Sequence, residues 1–260
     1  MANEKMKDVL RWYESIGIDD VIRDNLIKEP INHNLVVQNH DIKKKKLEKL
    51  TTPNNMVITN QSLSRIMADN AKNLDDLKQS VMNFENCQLK HIAKNTVFSD
   101  GTINAPIMLI GEAPGQSEDE YGIPFCGASG KLLDEILKSI GIFRTQNAYI
   151  TNCIFWRPPA NRRPTEEEIE ICRPFVEKHI ALINPKLLIL VGSTAVCALL
   201  GKEYQISKIR KEYFEYSNIY LNQSITTTAL FHPAYLLRQP MQKRDTWYDL
   251  LKIKKFIEKQ

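Results

Sequence analysis

The stretch Pro106-Ile107-Met108-Leu109-Ile110-Gly111-Glu112-Ala113-Pro114-Gly115 decides how this chain is read. Its first half is an unbroken apolar run, the pattern of a strand buried on both faces of a parallel sheet. Its second half is a Gly/Pro loop with a carboxylate at the lip. Open α/β sheets place their chemistry at the carboxyl ends of their strands, and glycines there let backbone approach a ligand. Gly111, Glu112 and Ala113 are therefore candidate site residues. Taken alone, the loop reads equally well as an acidic surface turn running on into Gln116-Ser117-Glu118-Asp119-Glu120.

Two further strand ends repeat the arrangement. Ala148-Tyr149-Ile150-Thr151 leads into Asn152 and then Trp156-Arg157-Pro158-Pro159-Ala160-Asn161-Arg162-Arg163-Pro164. Thr228-Ala229-Leu230-Phe231 leads into His232-Pro233-Ala234-Tyr235-Leu236-Leu237-Arg238. Downstream of the first end, Pro124-Phe125-Cys126-Gly127 frames a loop rather than a periodic element. Together these ends offer a carboxylate, two carboxamides and an imidazole, with prolines that stiffen the loops.

From Val97 onward, strand and helix patterns alternate. Leu132, Leu133, Ile136, Leu137 and Ile140 form a buried helical stripe ending at Gly141, a natural C-cap. Pro164-Thr165-Glu166-Glu167-Glu168 opens the next helix with a Thr-x-x-Glu capping box. Leu187-Leu188-Ile189-Leu190-Val191-Gly192 is a buried strand, and Ser193 is placed to cap a helix ending near Gly201. The alternation predicts an α/β fold, a doubly wound, mostly parallel central sheet flanked by helices as an α/β/α sandwich. Upstream, Leu74, Leu77, Val81 and Phe84 share a helix face that should pack on this domain. Glu4 to Ile22 reads as a helix, and Lys28 to Asn60, with Lys43-Lys44-Lys45-Lys46, as a polar linker. We expect residues 1–70 to be a helical and linker extension and residues 71–260 the α/β domain.

With 43% hydrophobic and 25% charged residues in 260, the composition is that of a globular protein and not of a disordered chain. No run of 18 apolar residues is present and the N-terminus lacks an apolar signal core, so the expectation is a cytoplasmic protein with no membrane span. A net charge of +4 permits nucleic-acid binding without demonstrating it. The five cysteines contain no C-x-x-C pair, which fits free buried thiols in a reducing compartment.

From about Phe84 to the C-terminus, the order and spacing of the three motifs resemble the uracil-DNA glycosylase superfamily, most closely its family four. The resemblance implies hydrolysis of the N-glycosidic bond of uracil in DNA, leaving an abasic site. It makes Glu112 the catalytic carboxylate, Phe125 the ring that stacks on a flipped base, and Asn152 the amide that reads the uracil edge. His232 would contact the uracil O2 as the bond breaks, and Asn161 would assist with water or phosphate. Leu236, Leu237 and Arg238 would form an apolar wedge and its phosphate anchor. Ala113 stands where family-one enzymes carry an aspartate.

Each residue also has a plainer reading: Phe125 and the leucines as core, Asn152 and Asn161 as turn residues, His232 as structural. Gly127-Ala128-Ser129-Gly130-Lys131 imitates a phosphate loop, but Phe125 and Leu132 break the pattern. Gly127 and Ser129 at that helix start remain candidates for a DNA phosphate.

Family-four enzymes typically hold an iron–sulfur cluster on four cysteines. The corresponding positions here read Phe84, Cys87, Trp156 and Cys172. Aromatic side chains cannot ligate iron; Cys153, three residues from Trp156, offers a substitute for one ligand but nothing replaces Phe84, so we expect no cluster, no metal and no other cofactor. The expected partner is DNA, with the damaged base flipped into the pocket, and the expected state is a monomer. The rival readings are a DNA-lesion or abasic-site binding protein without turnover, and a hydrolase of free nucleotides.

Overall fold

The computed structural model describes residues 59–259; the helix expected at Glu4–Ile22 and the polar stretch up to residue 58 lie outside the described residues. The sheet comprises β1 (Asp100–Gly101), β2 (Ile107–Gly111), β3 (Ala148–Asn152), β4 (Leu187–Val191), β5 (Phe214–Tyr216) and β6 (Ile225–Leu230), in the spatial order β1-β3-β2-β4-β6-β5. The inner strands are parallel, with Ile107 beside both Ala148 and Leu187, and Leu187 beside Thr226. The two outer strands are antiparallel. The chain steps from β2 out to β3, then returns to the other side of β2 with β4. That reversal opens a crevice at the carboxyl ends of the strands.

The helices are α1 (Asn60–Asn70), α2 (Leu74–Asn83) and α3 (Gln88–Ile92) upstream, then α4 (Gln116–Tyr121) and α5 (Ala128–Lys138) between β2 and β3. Helix α6 (Glu166–Ile183) joins β3 to β4, α7 (Ser193–Leu200) and α8 (Ile206–Ile209) precede β5, and α9 (Pro233–Arg238) and α10 (Lys243–Ile257) follow β6. Among the described residues no helix is long and apolar enough to cross a membrane.

Unbroken apolar strands follow from this layering, because each strand feeds two cores. Met108 and Ile110 of β2, with Leu188 and Leu190 of β4, pack against Phe175, Val176 and Ile180 of α6. The alternate residues Ile107, Leu109, Ile189 and Val191 pack against Leu133 and Leu137 of α5 and Leu250 and Ile253 of α10. The period-2 alternation of a strand thus sends successive side chains to opposite helical layers.

The capping box of α6 forms in both halves: the Glu168 N–H donates to Thr165 Oγ1 at 3.2 Å and the Thr165 N–H to Glu168 Oε2 at 2.7 Å. At α7 the cap is Gly192 rather than Ser193. The Gly192 N–H still donates to Leu230 O at 2.9 Å, so sheet pairing runs to the residue where the helix begins, and Ser193 is already inside it. Helix α5 ends at Lys138, and Gly141 (φ +78°) shapes the turn beyond. Helix α1 was not anticipated. It buries Ser64 and Ala68 completely and packs Leu63 and Met67, one turn apart, partly against the same core. It is tied to α6 by Arg65–Glu177 at 2.7 Å and by Gln61 Nε2 donating to Glu170 at 3.1 Å. The division expected at residue 70 falls between two helices that both touch α6.

Candidate active site

The site is built on the register of the sheet. Gly111 and Asn152 are direct neighbours at the ends of β2 and β3, and both are buried. A Cβ at position 111 would stand 2.4 Å from Asn152 Oδ1 and 2.4 Å from the Phe125 ring. Glycine is therefore required there, because it lets a carboxamide and an aromatic ring close over the strand end. The Phe125 ring lies 5.8 Å, centroid to centroid, from the His232 imidazole.

His232 caps α9, and its Nδ1 accepts the Ala234 N–H at 3.2 Å. With Nδ1 acting as acceptor, the neutral ring carries its proton on Nε2. Burial pushes the imidazole below its ordinary pKa, opposed by the Glu112 carboxylate and reinforced by Arg238. Glu112 is partly exposed, and the Thr194 hydroxyl at the start of α7 donates to its Oε2. A hydrogen-bonded carboxylate and a neutral imidazole donor thus face the same space.

That space is a cleft of about 880 Å³. Glu112, Ala113, Phe125, Asn152 and His232 form its inner wall. Ser129, Asn161 and Arg238 stand further out, with Arg162, Arg163 and Lys211 adding positive charge, while Arg210 is buried and paired with Asp245 and Asp249. The Asn161 side-chain oxygen accepts Arg157 Nε at 2.7 Å, and Arg162 is held by both oxygens of Glu168. Among the described non-glycine residues only five have positive φ, and Phe125 (+52°) and Asn161 (+54°) are two of them. Backbone strain of this kind gathers where structure is held for function.

Not every expected residue reaches the cleft. Leu236 is fully buried in the core beside Leu133 and Leu250, so it is a packing residue and not part of a wedge. Its neighbour Leu237 is 48% exposed. The Gly127 N–H expected to meet a phosphate already donates to Glu118 Oε1 at 2.8 Å, while Ser129 does line the cleft. Sequence reasoning missed Glu118, Thr194 and Arg144. Glu118 carries a local signal, standing three residues after the N-cap Gly115, where a glutamate side chain can reach back to the N-cap N–H. Thr194 meets Glu112 across 82 residues of chain, and no local pattern reports such a contact.

An acid, an amide, an aromatic ring and an imidazole converge at the carboxyl ends of a doubly wound sheet under an arginine rim. This is a ligand-handling α/β protein whose pocket suits a flat group with a polar edge, carried on a polyanion. The chain belongs to the Uracil DNA glycosylase superfamily, whose pattern residues 98–251 match. It is 36% identical over 186 residues to the Type-4 uracil-DNA glycosylase of Archaeoglobus fulgidus, covering 70% of this chain and 92% of that one. Over 177 residues it is 37% identical to the Type-4 uracil-DNA glycosylase of Thermotoga maritima, covering 67% and 89%. The corresponding enzyme of Sulfurisphaera tokodaii is 34% identical over 185 residues, covering 70% and 83%.

The iron–sulfur cluster typical of that branch does not fit the residues present. Phe84 and Trp156 are fully buried, Phe84 edge-on to Phe175 at 5.3 Å and Trp156 donating from Nε1 to Thr96 Oγ1 at 2.9 Å. The Cys87–Cys172 hydrogen bond and burial push Cys172 well above the ordinary thiol range, and the same bond lowers Cys87. Burial pushes the nearby Cys153 thiol up to about 12. A cubane cluster takes four cysteine thiolates, and because metal binding itself drives off their protons, the number of cysteines decides the fit. Here the donor set is two hydrogen-bonded thiols and two packed aromatic rings.

Proposed function

We propose that this protein is a monofunctional uracil-DNA glycosylase that works as a monomer in the cytoplasm, without a cluster or other cofactor. The observation that carries the reading is the convergence of the Phe125 ring, the Asn152 amide and the His232 imidazole beside Glu112. A uracil flipped from the duplex lies against Phe125 with its edge toward Asn152, whose amide offers both a donor and an acceptor. The C1′–N1 bond breaks with its electron pair passing to the base. The charge gathers on O2, where His232 Nε2–H donates a hydrogen bond. Glu112 favours the cationic sugar and accepts the proton of the water that adds to C1′. Arg238 and Arg163 hold phosphates, and Leu237 fills the gap left in the stack.

The test is release of uracil from a duplex oligonucleotide bearing one uracil, followed as alkali-sensitive abasic sites, with cytosine and thymine duplexes as controls. Tight binding to abasic-site duplex with no release would identify a lesion-binding protein instead. Hydrolysis confined to free deoxyuridine nucleotides would identify a nucleotide hydrolase.

A further inference from the structure

Phe125 holds a backbone conformation that L-residues seldom adopt, at φ +52°. Its surroundings explain how. The Arg144 guanidinium donates from Nη1 to Pro124 O at 3.1 Å and from Nη2 to Phe125 O at 3.0 Å. Its remaining donors go to carboxylates, Nε and Nη2 to Asp134 at 3.0 and 2.7 Å and Nη1 to Asp100 at 2.8 Å. Every N–H of the fork is used, which a lysine ammonium cannot reproduce.

At the next residues of the loop, Glu118 accepts the N–H groups of Cys126 at 3.0 Å and Gly127 at 2.8 Å through Oε1, and that of Gly115 at 3.1 Å through Oε2. The Phe125–Cys126 peptide is thus gripped at its carbonyl by a cation and at its N–H by an anion. Behind it, Gly130 leaves no slack, since a Cβ there would stand 1.8 Å from Phe125 O.

From this geometry we propose that Glu118 and Arg144 are positioning residues that lock Phe125 in its left-handed backbone state and so fix its ring as a rigid platform beside Asn152. The inference rests on Phe125 being the face that receives the base. Glu118 also ties that platform to the Gly111–Gly115 loop, so the ring and the Glu112 carboxylate keep one relative placement. A preorganised platform spares the complex the ordering of a loop on every encounter.

The experiment is a double-mutant cycle in single-turnover uracil release, using E118Q and R144K, each alone and combined with F125A. The glutamine keeps the size of Glu118 but has one acceptor oxygen for three N–H groups. Each single variant should lower the ratio of maximal rate to half-saturating concentration roughly tenfold, the scale of losing charge-assisted hydrogen bonds. In the F125A background each should change it less than twofold, because the group acted on is gone. If E118Q and R144K cost as much with F125A as without it, they act elsewhere and the proposal fails, though the platform stands. If F125A alone releases uracil at the full rate, the platform reading itself fails and takes the proposal with it. Should E118Q not fold by circular dichroism, the R144K arm of the cycle decides alone.

Discussion

The backbone N–H of Ala234 donates to Nδ1 of His232 at 3.2 Å, and this one contact decides which nitrogen faces the cleft with a proton. A neutral donor holds its hydrogen on both sides of neutral pH, whereas an imidazolium loses its charge as pH rises. Because burial lowers the His232 pKa, its working form persists above about pH 6.5, the ordinary histidine value. The single-turnover release rate should therefore stay flat from about pH 6.5 to 8.5. H232A should lower it roughly a hundredfold, the scale of one lost oxyanion donor. A rate that falls steadily with rising pH would show that the charged ring is the active form.

Thr194 reaches Glu112 from the first turn of α7. T194V keeps the shape and deletes the donor, so the carboxylate loses the contact that orients it. Single-turnover release should fall roughly tenfold, in line with about 1.5 kcal/mol for a hydrogen bond to a charged group. E112Q should fall much further. Equal effects of the two variants would mean that Thr194 does more than orient the carboxylate.

Two adjacent leucines separate core from surface. L236A empties a fully buried site and should cost about 2–5 kcal/mol of stability. L237A should leave the unfolding midpoint unchanged and weaken binding to uracil-containing duplex. R238A should weaken binding to every duplex and flatten its salt dependence, because phosphate contacts release counterions. Reversal of the two leucine phenotypes, measured by urea unfolding and by titration with DNA, would reject the assignment of Leu237 to the wedge.

Iron content offers an independent check. With Phe84 and Trp156 at two of the four positions, protein purified without oxygen should show no absorption band near roughly 400 nm and no stoichiometric iron. Iron at four atoms per chain would mean that other residues of the chain supply the missing ligands.

His179 gives the fold a pH signature. It is fully buried, its Nε2 lies 2.8 Å from the Tyr149 hydroxyl, and burial pushes its pKa down to about 3. The unfolded chain binds this proton near pH 6.5 and the folded chain does not, so stability is lost as pH falls below that value. Between pH 7 and pH 5, wild-type protein should lose about 2 kcal/mol more than H179Q. Parallel urea titrations of the two proteins over that range would exclude the effect.

Much of this was legible in the chain, for identifiable reasons. Strands that feed two cores are written as runs such as Leu187–Val191, and the helix start at Thr165 is written in its capping box. The wall residues Glu112, Asn152 and His232 could be found because each closes a strand, and strand ends in this topology share one edge. What escaped detection depends on contacts between distant segments. Arg144 and Thr194 act across loops that only folding brings together, and Leu236 and Leu237 differ by one helical step that sequence order does not orient. Helix α1 packs through Leu63, Ser64, Met67 and Ala68, a face in which two small residues dilute two large apolar ones that are themselves only partly buried.

The borders of the sheet carry a last consequence. β1 spans two residues and β5 three, and Glu215 on β5 takes the hydroxyls of Ser224 and Thr226. Borders this short, one of them bearing a carboxylate, give a neighbouring molecule almost no unpaired backbone on which to extend the sheet. Among the described residues, edge-to-edge pairing between two copies therefore finds no border strand longer than three residues to template it.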